Sequence, residues 1–214
     1  MRTALCFVAL GLVAFATLGI AQGQPAISVS QPIPAELTPR AYLPFVARAD
    51  DVCLGNIIVN GSFEAGNTGW YTFTNGTNWK AHNLIGTRAE GFDPYRGDYG
   101  ARLGGYEGVW DVLTQTVTLP LNGQLSYWWK VISYENLPHH DGFAINLLES
   151  DGALVATLSQ HDDQDTQHLW KQDVLDVSAY GGQSLVLQFE AYNDNYYFTT
   201  FYLDHVCLHP TSAR

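Results

Sequence analysis

Two tryptophans stand side by side in "QLSYWWKVIS" (124–133), at Trp128 and Trp129. An indole fills a core, or it stacks on the apolar face of a sugar ring or on another protein's side chain. The chain also offers the polar partners such recognition needs, in Lys130, Asn146, Gln188, Glu190 and Tyr192. Acids are in excess, with 21 Asp and Glu against 10 Lys and Arg. Three of them, Asp162, Asp163 and Asp165, crowd into "HDDQDTQH" (161–168). That run lacks the glycine and terminal glutamate of an EF-hand loop, so it reads as a solvated acidic loop. His139, His140, His161 and His168 show neither an HExxH motif nor a repeated spacing, so no transition-metal site is expected. There is no Gly-x-Ser-x-Gly elbow, no P-loop and no dinucleotide fingerprint. A glycosidase needs two facing carboxylates, and in so acidic a chain some pair will always be close. The chain therefore reads as a non-enzyme.

The charge balance narrows the partners. The net charge is −11, and Arg2 is the one charged residue in the first 23. Affinity for nucleic acid rests on cationic contacts to phosphate, so a nucleic-acid partner is not expected. Residues 1–23 read as a secretory signal peptide. Arg2 precedes an apolar run from Ala4 to Ile20, and Ala21-Gln22-Gly23 ends it with small residues. No basic stop-transfer cluster follows and no other apolar run reaches membrane length, so no membrane insertion is expected. Residues 24–52, rich in proline, read as an extended leader. The mature chain keeps two cysteines, Cys53 and Cys207. In a secreted protein an even count favours a disulfide. The loop it closes would make it worth roughly 5 kcal/mol in the chain-entropy model. The product expected is a secreted, soluble monomer.

These groups need a scaffold. From Cys53 to Leu208, short alternating runs are separated by Gly, Asn, Asp and Pro, and no amphipathic helix stands out. That pattern predicts an all-β, two-sheet antiparallel β-sandwich. The expected strands are 56–60, 70–74, 79–84, 99–103, 111–119, 124–133, 141–149, 153–159, 168–177, 184–192 and 198–208. "PLNG" (120–123) and "SDG" (150–152) read as turns between neighbours. Residues 209–214 read as a tail.

Alternation assigns faces. Leu125, Tyr127, Trp129 and Val131 form the more apolar set and should face the core. Phe143, Ile145 and Leu147 should join them, with Leu185, Leu187, Phe189 and Ala191. Trp128 then points outward beside Lys130. It is either cover, packed under a loop or under Tyr42 or Phe45 of the leader, or an exposed binding platform. In the platform reading Lys130, Asn146, Gln188, Glu190 and Tyr192 share its sheet face, or loop aromatics such as Trp79, Tyr95 and Trp110 complete the site. Lys130 and Glu190 would form a cross-strand pair or the polar half of that site.

"NIIVNGSFEAGNTGW" (56–70) resembles the opening of jelly-roll carbohydrate-binding modules and related galactose-binding-like domains. "YGARLGGYEG" (99–108), "LTQTVTLP" (113–120), "LSYWWKVIS" (125–133), "LDVSAYGGQSLVLQFEAYND" (175–194) and "FYLDHVCL" (201–208) follow in the order of a MAM-like module of secreted bacterial proteins. The resemblance implies a jelly roll, and with it sugar binding, adhesion or scaffolding. It also implies a structural calcium where first and last strands meet, held by Glu64, Asp204 and the Ser62 carbonyl. The usual Asp-Asp of the closing motif is here Asp204-His205. Phe201 and Leu203 share one phase of that strand while Val206 and Leu208 share the other, which predicts a bulge at 204–205 able to re-aim Asp204.

Two functions follow as expectations. One is a non-catalytic module that recognises carbohydrate through an exposed aromatic, with a structural calcium. The other is an adhesive or structural surface domain that binds protein.

Overall fold

The computed structural model describes residues 53–76, 82–135, 140–165 and 167–211. The expected signal peptide, the whole of the leader, Trp79, His139 and the chain end lie outside them. Ten strands form: β1 (Tyr71–Thr74), β2 (Ile85–Thr87), β3 (Tyr99–Gly104), β4 (Trp110–Thr118), β5 (Gly123–Ser133), β6 (Gly142–Leu148), β7 (Leu154–Asp162), β8 (Lys171–Asp176), β9 (Ser184–Tyr192) and β10 (Thr199–Pro210). They pair antiparallel in two five-stranded sheets, β1-β4-β9-β6-β7 and β2-β3-β10-β5-β8. The molecule is the expected all-β sandwich. "SDG" closes the β6–β7 hairpin, whereas "PLNG" carries the chain from β4 in one sheet to β5 in the other.

The inward faces are those alternation assigns. Leu125, Tyr127, Trp129, Val131, Phe143, Ile145, Leu147, Leu185, Leu187, Phe189 and Ala191 are all buried in one core. Tyr127, Phe143 and Phe189 stack or meet edge-on across it. A half-buried polar knot lies beside them. Asp173 on β8 accepts from Tyr127 Oη (2.7 Å), Trp129 Nε1 (2.9 Å), Ser159 Oγ (3.1 Å) and His161 Nε2 (3.0 Å). His161 also stacks on Trp129, with ring centroids 3.6 Å apart. Burial pushes the Asp173 carboxyl up, but the hydrogen bonds from His161, Tyr127 and Trp129 outweigh it and hold it well below the usual carboxylate range.

Residues 56–60 form no strand, because side chains satisfy their backbone. Asn56 Oδ1 accepts from the Ile58 and Leu208 amides, and its Nδ2 donates to the Val206 carbonyl. Gln115 brackets Val59 from both sides, accepting from its N–H and donating to its carbonyl. The Asn60-Gly61 turn is fixed in the same way. Asn60 (φ 55°) donates to the Gly66 and Thr68 carbonyls, and its own carbonyl accepts from Trp70 Nε1. A Cβ on Gly61 would lie 1.9 Å from the Val206 carbonyl oxygen, so only glycine fits there. Cys53 and Cys207 are disulfide-bonded, with Cα atoms 5.8 Å apart, tying this segment to β10. In β10 the register shifts between Asp204 and Cys207 with His205 at φ 50°, at the phase switch read from the sequence. The strand runs on to Pro210, past the expected boundary at 208.

Candidate functional site

The six expected ligand-binding residues do not share a face. Trp128 and Lys130 lie on β5, while Asn146 lies on β6 and Gln188, Glu190 and Tyr192 lie on β9. β5 belongs to one sheet and β6 and β9 to the other. The two sets point outward from opposite sides of the sandwich. Alternation distinguishes inside from outside, but it carries no information on which sheet a strand joins.

The outer face around Trp128 is closed. The segment before β3 lies over it, and Tyr95 stacks on Trp128 with centroids 3.9 Å apart and planes 10° from parallel. Trp170 packs on the far side of Tyr95 at 5.6 Å. Lys130 is 4 % exposed. Its ammonium pairs with Asp93 and lies over the Trp170 and Tyr202 rings at 5.0 and 4.7 Å. The expected Lys130–Glu190 pair is therefore replaced by Lys130–Asp93. Trp128 is covered by Tyr95; Tyr42 and Phe45 of the leader lie outside the described residues.

Glu64 and Asp204 anchor the same segment. Glu64 Oε1 accepts from the Asp98 and Tyr99 amides, both at 3.1 Å, and its Oε2 accepts from Asp98 at 3.2 Å. Asp204, fully buried, accepts from the Arg96 amide at 3.0 Å and from the His205 amide at 2.7 Å. Gly97 (φ 70°) passes so close to Glu64 that a Cβ would sit 2.1 Å from Oε1. Burial raises the Asp204 carboxyl to about 7, against the pull of those amides and with the push of Glu64. All four oxygens thus face N–H groups. This donor set clamps a loop and does not fit a calcium ion, which needs free oxygens around it. Ser62 lines a small cavity beside Cys53 and His205.

The opposite sheet is open. A groove of about 580 Å³ runs over β6, with β9 on one side and β7 on the other. Its floor is low because the outward residues of β6 begin Gly142, Ala144, Asn146. Tyr192 and Glu190 rise beside Gly142 and Ala144, and Gln160 and Thr157 rise opposite. Tyr192 is 53 % exposed, and its cross-strand neighbour Trp110 is 40 % exposed. A polar row crosses the strands beneath them. Thr157 Oγ1 donates to Asn146 Oδ1 (2.9 Å), and Asn146 Nδ2 donates to Gln188 Oε1 (3.0 Å) and Glu190 Oε2 (3.2 Å). Trp110 Nε1 donates to Glu190 Oε1 at 2.6 Å, which fixes the indole. Of the six expected residues Asn146, Glu190 and Tyr192 line the groove with Thr157 and Gln160, while Gln188 and Trp110 adjoin it through hydrogen bonds to Asn146 and Glu190. Of Thr157, Gln160 and Trp110, only Trp110 stands out in the sequence, as an aromatic.

A second acidic group lies at the groove's end. Asp141 lines the groove beside His140, and one carboxylate oxygen each of Glu135, Asp141 and Asp194 lies within 4.8 Å of the others. Glu135 and Asp141 flank one loop while Asp194 lies 53 residues beyond Asp141, and no spacing rule connects the three.

No protein-family model matches the chain, and no curated protein sequence matches it. Solved structures do. TmCBM61 in complex with beta-1,4-galactotriose superposes with a TM-score of 0.53 at 14 % identity, over 73 % of this chain and 99 % of that one. The K3 cleaved adhesin domain of Lys-gingipain from Porphyromonas gingivalis gives a TM-score of 0.52 at 14 % identity, over 72 % of this chain and 99 % of that one. The K2 adhesin domain of the same protein gives 0.50 at 12 % identity, over 71 % and 97 %. The chain has the β-sandwich fold shared by carbohydrate-binding modules and cleaved-adhesin domains.

Proposed function

We propose that this is a secreted, non-catalytic carbohydrate-binding module whose ligand lies in the groove over β6. The observation that carries this reading is the pairing of two exposed rings, of which Trp110 is held by Glu190, with a continuous polar row. Tyr192 and Trp110 offer apolar faces to the C–H side of a sugar ring. Gln188, Asn146, Glu190 and Thr157 offer donors and acceptors to its hydroxyls, and their mutual hydrogen bonds hold them in place before ligand arrives. Adjacent strands are about 4.8 Å apart, so the row spreads its polar groups across three strands. The complex of TmCBM61 with a galactotriose, on the same fold, supports trying β-linked galacto-oligosaccharides first.

A protein surface is the second reading. Tyr71, 65 % exposed, and Phe73, which meets Trp110 edge-on at 5.5 Å, extend the aromatic face beyond the groove onto β1. The test is a glycan array and titration calorimetry with mature protein and with the Tyr192→Ala and Gln188→Ala variants. Binding of the wild type that falls at least tenfold in both variants supports the sugar reading. Absence of binding to any glycan gives the face to a protein partner.

A further inference from the structure

We propose that Glu135, Asp141 and Asp194 hold a divalent cation of calcium's class at the end of the groove. Calcium binds carboxylate oxygens at about 2.3–2.6 Å, so two ligands of one ion lie at most about 5 Å apart. The 4.8 Å limit that contains these three oxygens meets that condition. The residues come from two connections: Glu135 follows β5 and Asp141 precedes β6 at the two ends of one, and Asp194 follows β9 in the other. β5 belongs to one sheet and β6 and β9 to the other, so one ion would fasten the ends of both.

The state of the oxygens supplies an independent observation. Asp141 is 2 % exposed. Its Oδ1 accepts from the Asp194 amide at 2.9 Å, while its Oδ2 is buried without a hydrogen-bond partner. Glu135 Oε1 is buried and unpartnered as well. Among the described residues no lysine or arginine pairs with any of the three; His140 Nδ1 reaches Asp194 Oδ2 at 2.9 Å and the Tyr196 amide donates to Asp194 Oδ1 at 2.7 Å, so the unpartnered oxygens are those of Asp141 and Glu135. Asp163, 1 % exposed, adds a further negative charge nearby. Buried acids in this condition either take up protons or share a cation. An all-oxygen donor set with free lone pairs suits a hard cation rather than zinc. The contrast with Glu64 and Asp204, whose oxygens are all met by amides, moves the calcium expected from sequence to this end of the sandwich. The inference is independent of whether the groove takes sugar.

The test is a calcium titration of EDTA-stripped mature protein, by calorimetry and by terbium luminescence. The panel is the wild type with Glu135→Gln, Asp141→Asn and Glu64→Gln. The wild type should bind one calcium and melt at higher temperature with it. Asp141→Asn and Glu135→Gln should each bind at least tenfold more weakly, and Glu64→Gln should bind like the wild type. If Asp141→Asn fails to fold in EDTA by circular dichroism, the partly exposed Glu135→Gln decides. Three results would overturn the proposal: no calcium binding by the wild type, undiminished binding in Glu135→Gln, or binding lost in Glu64→Gln alone.

Discussion

Replacing Asp204 with asparagine should flatten the pH dependence of stability between pH 5 and 8. The Asp204 carboxyl is raised to about 7 from an ordinary 3.8, chiefly by burial. A raised acid favours the folded state below its unfolded value, and that contribution is lost as pH rises through the folded value. At about 1.4 kcal/mol for each tenfold change in proton affinity, full ionisation costs the fold about 4 kcal/mol. Between pH 5 and pH 8 the wild type should lose about 3 kcal/mol of this, a fall in melting temperature of roughly 6–12 °C for a domain of this size. Asparagine resembles the protonated acid, with one acceptor and one donor. It keeps one of the two amide bonds and sets an N–H against the other, costing about 1–2 kcal/mol at pH 5. Thermal melts of both proteins at pH 5, 6, 7 and 8 in EDTA, followed by circular dichroism, give the comparison. Other titrating groups are common to both, so the difference reports Asp204. Parallel pH profiles for the two proteins, or a wild type that gains stability relative to the variant as pH rises, would refute the reasoning.

Two further outcomes follow from the closed face and the polar knot. Tyr95→Ala removes the stack on Trp128 and should cost roughly 2–4 kcal/mol while shifting tryptophan emission to the red, with glycan binding unchanged. Asp173→Asn disturbs a carboxylate that Tyr127, Trp129, Ser159 and His161 all engage, and should cost roughly 3–5 kcal/mol at pH 7. Because the Asp173 carboxyl is held below its ordinary value, its contribution is present above that value and lost as pH falls beneath it. Acid-unfolding curves should therefore show the variant's deficit shrinking below about pH 4.

Much of the scaffold was legible. The period-two alternation of 124–133, 141–149 and 184–192 names the inward residues, because each strand has one dry and one wet face. The phase switch at Asp204–His205 names the bulge. The faces were legible and the sheets were not. Trp128 and Glu190 both read as outward, which they are, but outward from β5 and outward from β9 are opposite directions. Residues 56–60 alternate like a strand, yet Asn56 and Gln115 take the backbone bonds a ladder would have made. The groove depends on what is small, Gly142 and Ala144, and small residues carry no chemical signal in a sequence. The Glu135, Asp141 and Asp194 group joins the β5–β6 connection to the β9–β10 connection, and only the fold brings Asp194 to the other two.

The most direct test of the account is titration of mature wild-type, Tyr192→Ala and Trp128→Ala proteins with whichever oligosaccharide an array selects. The account predicts that Tyr192→Ala weakens binding at least tenfold, about 1.4 kcal/mol or more. Trp128→Ala should lower the melting temperature and leave affinity within twofold. Affinity lost in Trp128→Ala and kept in Tyr192→Ala would place the ligand on the opposite sheet and contradict the account.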